Sequence, residues 1–138
     1  MIQIIVAGIF LLCGTYTDLR YGCVYRKTAA AAILISAAGY FVTGKFSVWE
    51  MILSLIPGML CLFISFLTQE GLGYGDSIAI AVCGFALGLE RIFSVVVIGF
   101  FLAAVWGIGL CIFRKAGRKM EFPFLPFLTI GYVIEILF

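Results

Sequence analysis

Six apolar runs separated by short polar segments constrain this chain more than any other feature: Met1 to Thr17, Thr28 to Val42, Met51 to Leu67, Ser77 to Leu89, Ile92 to Phe113 and Phe122 to Phe138. A helix that crosses hydrocarbon needs roughly 17 to 25 residues. Backbone groups in lipid have no water to bond, so such runs must satisfy themselves as helices. Polar residues fall between the runs and do not mark one face of each, which argues against helices lying on a membrane surface. Only 12% of the 138 residues are charged and 64% are hydrophobic, against about a quarter charged in soluble domains. The chain therefore reads as an all-α polytopic integral membrane protein with six transmembrane helices. Residues 1–138 form a single membrane domain, without an internal repeat or a long linker.

The first run is short enough to suggest a signal peptide. It has no basic residue before its apolar core, and the following Asp18-Leu19-Arg20 is not a small-residue cleavage site, so it is expected to stay as the first helix. The fourth run is also short, and Gly71-Leu72-Gly73-Tyr74-Gly75-Asp76 precedes it. A glycine-rich break before helix 4 is expected here, because non-helical backbone at membrane depth survives only where protein or a wet cavity surrounds it.

Basic residues orient the bundle. Arg20, Arg26 and Lys27 lie in the first connection and Arg114, Lys115, Arg118 and Lys119 in the fifth, whereas the even connections hold only Lys45 and Arg91. The positive-inside rule puts the odd connections in the cytoplasm and both termini outside. Asp18 opens the first connection and Asp76 closes the third. Both aspartates are thus expected at one depth, near the cytoplasmic face of the inner or plasma membrane, although lysines and arginines alone assigned the topology.

An ionisable residue at a membrane boundary is costly and so marks a candidate functional site. Two carboxylates held close together cannot both ionise and keep one proton between them. One can then act as base and the other as acid in hydrolysing a peptide bond, with no metal or cofactor. Asp18 and Asp76 are the candidate catalytic pair. Gly73, Tyr74, Gly75 and Glu70 are candidate substrate-binding or loop-shaping residues, the glycines because positive φ would let the backbone approach an extended peptide. A plainer reading makes Asp76 the N-cap of the fourth helix. A different functional reading is a small proton- or cation-coupled transporter using Asp18 and Asp76.

Other chemistries lack their residues. There is no histidine, and the five cysteines, Cys13, Cys23, Cys61, Cys83 and Cys111, have no paired spacing, so neither a metal nor a cofactor is expected. The glycines lack the lysine and serine or threonine of a phosphate-binding loop. The basic fifth connection reads as a topology signal and anionic-lipid contact, not a nucleic-acid surface. Gly84 and Gly88 form a small-xxx-small pair, read as packing within the monomer. Oligomeric state is not legible.

Gly73-Tyr74-Gly75-Asp76 resembles the G-x-G-D motif of the type IV prepilin peptidases, which are membrane aspartic proteases, and Asp18-Leu19-Arg20 resembles their first motif. The proline-containing Phe122 to Leu128 resembles the start of the family's last helix. The resemblance implies a six-helix core that cleaves the basic leader from a prepilin or pseudopilin, after a glycine and before a hydrophobic helix. It differs at Ile78, where the family commonly has lysine, and at Val24-Tyr25-Arg26, where the family has Ile-Pro-Asn. Bifunctional members carry a cysteine-rich insertion and an N-methyltransferase activity; the sequence resembles the short, peptidase-only branch.

On a cysteine-free background, a probe cysteine between Arg114 and Lys119 should be shielded from a membrane-impermeant thiol reagent added outside. Labelling from outside would reverse the predicted topology.

Overall fold

A helix buries its own backbone bonds, but a bundle in lipid must still find close helix-to-helix contacts without help from hydrophobic segregation. The computed structural model describes residues 1–21, 26–44, 47–69, 73–113 and 123–138. Six helices occur among them: α1 (Ile2–Tyr21), α2 (Arg26–Thr43), α3 (Val48–Leu67), α4 (Tyr74–Leu87), α5 (Leu89–Ile112) and α6 (Leu125–Leu137). Three of these, α1, α3 and α5, are long and apolar enough to cross a membrane. At 1.5 Å per residue, α4 and α6 reach only about 20 Å each, so neither spans a hydrocarbon core of about 30 Å as a straight helix alone.

The outer surface is hydrocarbon. Large apolar side chains such as Leu12, Phe41, Trp49, Phe63, Phe101 and Trp106 are exposed, which in water would drive association and in a bilayer meets lipid. The protein is accordingly an integral membrane protein.

Helix α4 lies at the centre, touching α1, α2, α3 and α5, while α6 packs against α1 and α5. Small residues make that position possible. A methyl group on Gly58 of α3 would come within 2.5 Å of the Ala81 backbone of α4, and one on Gly84 of α4 would collide with the Ser54 carbonyl of α3. The two helices therefore meet nearly backbone to backbone. Ala79, Ile80, Cys83 and Ala86 of α4 are fully or almost fully buried around this contact.

A second close contact joins α5 and α6, where a methyl on Gly131 would lie 2.7 Å from the Val95 carbonyl. Polar bonds add orientation. Tyr40 of α2 donates to the Phe85 carbonyl of α4 at 3.0 Å, the hydroxyls of Thr15 and Thr129 join α1 to α6 at 2.6 Å, and Tyr132 donates to the Ile4 carbonyl. Such bonds between helices in lipid contribute about 0.6 to 2 kcal/mol each.

Several boundaries differ from the sequence reading. Helix α1 continues past its apolar run through Asp18 to Tyr21, and α4 begins at Tyr74, before the apolar run. Gly88, at φ +85°, forms the whole corner between α4 and α5, so Glu90 and Arg91 belong to the first turn of α5 and not to a connection. Of the expected small-residue pair, only Gly84 packs; Gly88 has open space at its Cβ position and serves the turn. Pro126 is at the second position of α6, where a missing N–H costs nothing. The basic stretch Arg114 to Lys119 and residues 70–72 lie outside the described residues.

Gly84→Ala should destabilise the fold by about 1 to 3 kcal/mol through overpacking. Gly107→Ala, in a helix interior with open space around its Cβ position, should be neutral or stabilising by about 0.5 to 1 kcal/mol. Thermal unfolding in detergent measures both, and equal effects would disprove the tight α3–α4 contact.

Candidate active site

The central position of α4 decides what its first turn faces. Gly73 is the N-cap, with φ −60° and ψ 133°, and no side chain caps the helix. Asp76 is thus the third residue of α4, not its cap. The Gly73 carbonyl accepts the Ser77 amide at 3.3 Å and its hydroxyl at 3.4 Å, closing the first turn. Ser77 itself is buried.

Asp18 lies in the last turn of α1 and Asp76 in the first turn of α4. These two helices pack together. Oδ2 of Asp18 is buried, and the Asp18 charge acts on the Asp76 carboxyl. The fold therefore gathers two aspartates, 58 positions apart in sequence, at one end of the bundle. Their helix ends are of opposite polarity: aligned peptide dipoles favour negative charge at the start of α4 and oppose it at the end of α1.

The glycine of this turn acts differently from the expectation. Gly73 has negative φ and Gly75 is helical, so neither supplies the left-handed backbone expected of them; positive φ occurs instead at Gln69, Gly44 and Gly88. What Gly73 provides is room, since a Cβ there would stand 3.1 Å from Oδ2 of Asp76. An absent side chain can thus serve a neighbour as well as its own backbone.

Tyr74 is helical and exposed. Tyr74, Gly75 and Asp76, expected in a glycine-rich break before the fourth helix, belong to the helix itself. Gly71, Leu72 and the candidate residue Glu70 lie outside the described residues, as does the 22–25 segment after α1. Ile78, two residues beyond Asp76, is about 200° around the helix from it and is partly exposed. A cation at that position would leave the helix away from the carboxylate. Arg20 extends along the bundle surface, donating to the Tyr16 hydroxyl and lying 5.7 Å from the Tyr21 ring centre.

One contact near the pair was not anticipated. Thr15, one turn before Asp18, meets Thr129 of α6, which can in turn donate to the Leu125 carbonyl at 2.9 Å. Threonines inside apolar runs were the available signal, but only the packing shows that these two face each other. No group of three or more potential metal ligands occurs among the described residues.

An all-helical membrane bundle with two carboxyl groups at one end is the class that these features define. The profile of the type IV leader peptidase family matches residues 5–108, which include both aspartates. The chain belongs to that family. A prepilin leader peptidase/N-methyltransferase of Aeromonas salmonicida (strain A449) is 35% identical over 69 residues, covering 50% of this chain and 24% of that protein. The protein of the same description from Bacillus subtilis (strain 168) is 23% identical over 123 residues, covering 88% of this chain and 50% of its own length. The chain thus spans between a quarter and a half of the curated relatives it matches. No solved structure matches it significantly.

Gly73→Ala tests the space around Asp76. Removing backbone freedom gains about 0.4 to 1 kcal/mol, while replacing glycine by alanine at an N-cap costs a similar amount. Net stability should stay within about 0.5 kcal/mol of the parent, and the Asp76 carboxyl should be displaced by a few tenths of an ångström, detectable as changed carbodiimide labelling. Unchanged labelling would show that the gap at Gly73 does not hold Asp76 in place.

Proposed function

We propose that the protein is a membrane aspartic endopeptidase that removes the basic leader of a type IV prepilin or pseudopilin, with Asp18 and Asp76 as its catalytic pair. The observation that carries this reading is geometric: Asp18, in the last turn of α1, and Asp76, in the first turn of α4, stand at the same end of two helices that pack together. Membership of the leader peptidase family supports the substrate class, as do relatives described as prepilin leader peptidases. The proposal concerns leader cleavage alone.

The chemistry needs one proton shared by two carboxyl groups. The ionised aspartate takes a proton from water as the water oxygen attacks the scissile carbonyl carbon, and the protonated aspartate donates to the forming oxyanion. The tetrahedral intermediate then collapses, the C–N bond breaks and the amine leaves with a proton relayed through the pair. The products are a carboxylate and an ammonium group, and the pair again holds a single proton. Water, the two side chains and the peptide suffice.

Topology completes the proposal. With the odd connections on the cytoplasmic side, the pair faces the compartment in which a basic leader would remain. Gly73 gives Asp76 room, and Tyr74, Gly75 and Glu70 are the remaining residues proposed to shape or contact the substrate segment. Both carboxylates belong to helix ends, whereas transporter sites are typically built at broken helices near mid-membrane, which favours hydrolysis over ion coupling.

Asp18→Asn and Asp76→Asn should each lower leader cleavage by about 1,000-fold or more, in the upper range for general acid–base groups, while the proteins remain folded. The double variant should be scarcely worse than either single one, because paired groups act as a unit. Cleavage of a candidate prepilin in liposomes, with EDTA present, measures this. Near-normal turnover by a folded single variant would remove that residue from the pair. The kcat/KM profile of the parent should be bell-shaped in pH, reporting the two macroscopic ionisations of a coupled pair; a single ionisation would contradict the shared proton.

A further inference from the structure

At the end of the bundle opposite the aspartates, the N-terminal part of α1 and the C-terminal part of α6 meet the corner between α4 and α5. A cavity of about 370 Å³ opens there, with Ile4, Leu87, Arg91, Tyr132, Glu135 and Ile136 among its lining residues. Its chemistry is mixed in a particular way. Arg91, from the first turn of α5, brings a cation, and Glu135, from the last turn of α6, brings an anion. Neither has an ion-pair or hydrogen-bond partner among the described residues, and Tyr132 already donates to the Ile4 carbonyl. Ile4, Leu87 and Ile136 contribute apolar surface alongside them.

A cavity that offers separated charges of opposite sign matches a ligand that carries both. The surroundings say where that ligand comes from: Ile2, Ile5, Leu89, Val133 and Leu137 nearby are exposed apolar side chains of a lipid-facing surface. We propose that this cavity binds the headgroup of a zwitterionic phospholipid with a primary ammonium group, phosphatidylethanolamine, with its phosphate on Arg91 and its ammonium on Glu135. The planar guanidinium presents a fork of donors that fits two phosphate oxygens. A primary ammonium has three N–H donors for a carboxylate, whereas the quaternary ammonium of phosphatidylcholine has none. Phosphatidylglycerol supplies the phosphate but no cation for Glu135. The acyl chains lie along the exposed apolar surface of α1 and α6, outside the cavity.

The site is separate from the aspartate pair and does not depend on leader cleavage. Its occupant would bridge α5 and α6, adding a polar link at the end of the bundle where Thr15 and Thr129 do not reach.

The full chain, purified in detergent, can be titrated with phosphatidylethanolamine, phosphatidylcholine and phosphatidylglycerol of identical acyl chains, with binding read by native mass spectrometry. Phosphatidylethanolamine should bind about tenfold more tightly than either of the others, the value of one charge-assisted hydrogen bond. Glu135→Gln should erase that preference while retaining phosphate binding, and Arg91→Gln should weaken all three lipids. Soluble glycerophosphoethanolamine at the same concentration should fail to displace the lipid, because it lacks the acyl contacts; displacement would reassign the site to a free zwitterion. Equal binding of the three headgroups by the parent protein, or a preference unchanged by Glu135→Gln, would overturn the proposal without reference to how well any variant folds.

Discussion

The contact between α3 and α4 is the constraint on which the rest of the bundle depends. In hydrocarbon there is no hydrophobic reward for bringing two apolar helices together, so dispersion contacts must do the work, and these fall away steeply with distance. Gly58 against Ala81 and Gly84 against the Ser54 carbonyl remove the side chains that would hold the two backbones apart. Helix α4 can then lie deep in the bundle despite having only 14 residues. Its neighbours α1, α2 and α5 pack around it, and the direction of its first turn follows from that packing.

Electrostatics at the start of α4 depends on the same placement. A carboxylate at a lone helix end beside water is easily solvated, and two of them far apart have no special chemistry. Bringing Asp76 to the end of α1 places it in the field of Asp18, with part of the Asp18 carboxylate buried. The effect of like charges grows as water is removed from around them. Packing of a membrane bundle can therefore bring the charges of two ordinary aspartates to bear on each other. The open space at Gly73 lets the Asp76 carboxylate lie against the turn from which its helix begins.

The two ends of the bundle differ in character. One gathers two carboxyl groups of like sign, an arrangement suited to proton transfer. The other holds Arg91 and Glu135 around a cavity, an arrangement suited to a ligand carrying both charges. The strong contacts between the ends, α3 with α4 and α5 with α6, are made by glycines. Thr15 with Thr129 and Tyr40 with the Phe85 carbonyl each tie a helix to its neighbour by a directional bond.

Much of this was legible in the sequence. Long apolar runs oblige the backbone to form helices, and charged residues are too costly to lie far inside them, so the all-helical membrane class and the approximate helix positions follow from local composition alone. The same logic marked Asp18, Asp76 and the glycine motif as chemically unusual. Boundaries were less legible: Tyr74 and Gly75 have weak local preferences, yet both belong to α4. Nor could a linear pattern tell that Gly73 makes room for its neighbour, that Gly88 turns the chain while Gly84 packs, or that Arg91 and Glu135 share a cavity. Those facts depend on which helix faces which, a choice set by distance-sensitive contacts between residues far apart in sequence. The sequence by itself determined the helical membrane class and the residues available for chemistry; the tertiary structure decided which of them meet, because only close packing brings their charges and surfaces within range of one another.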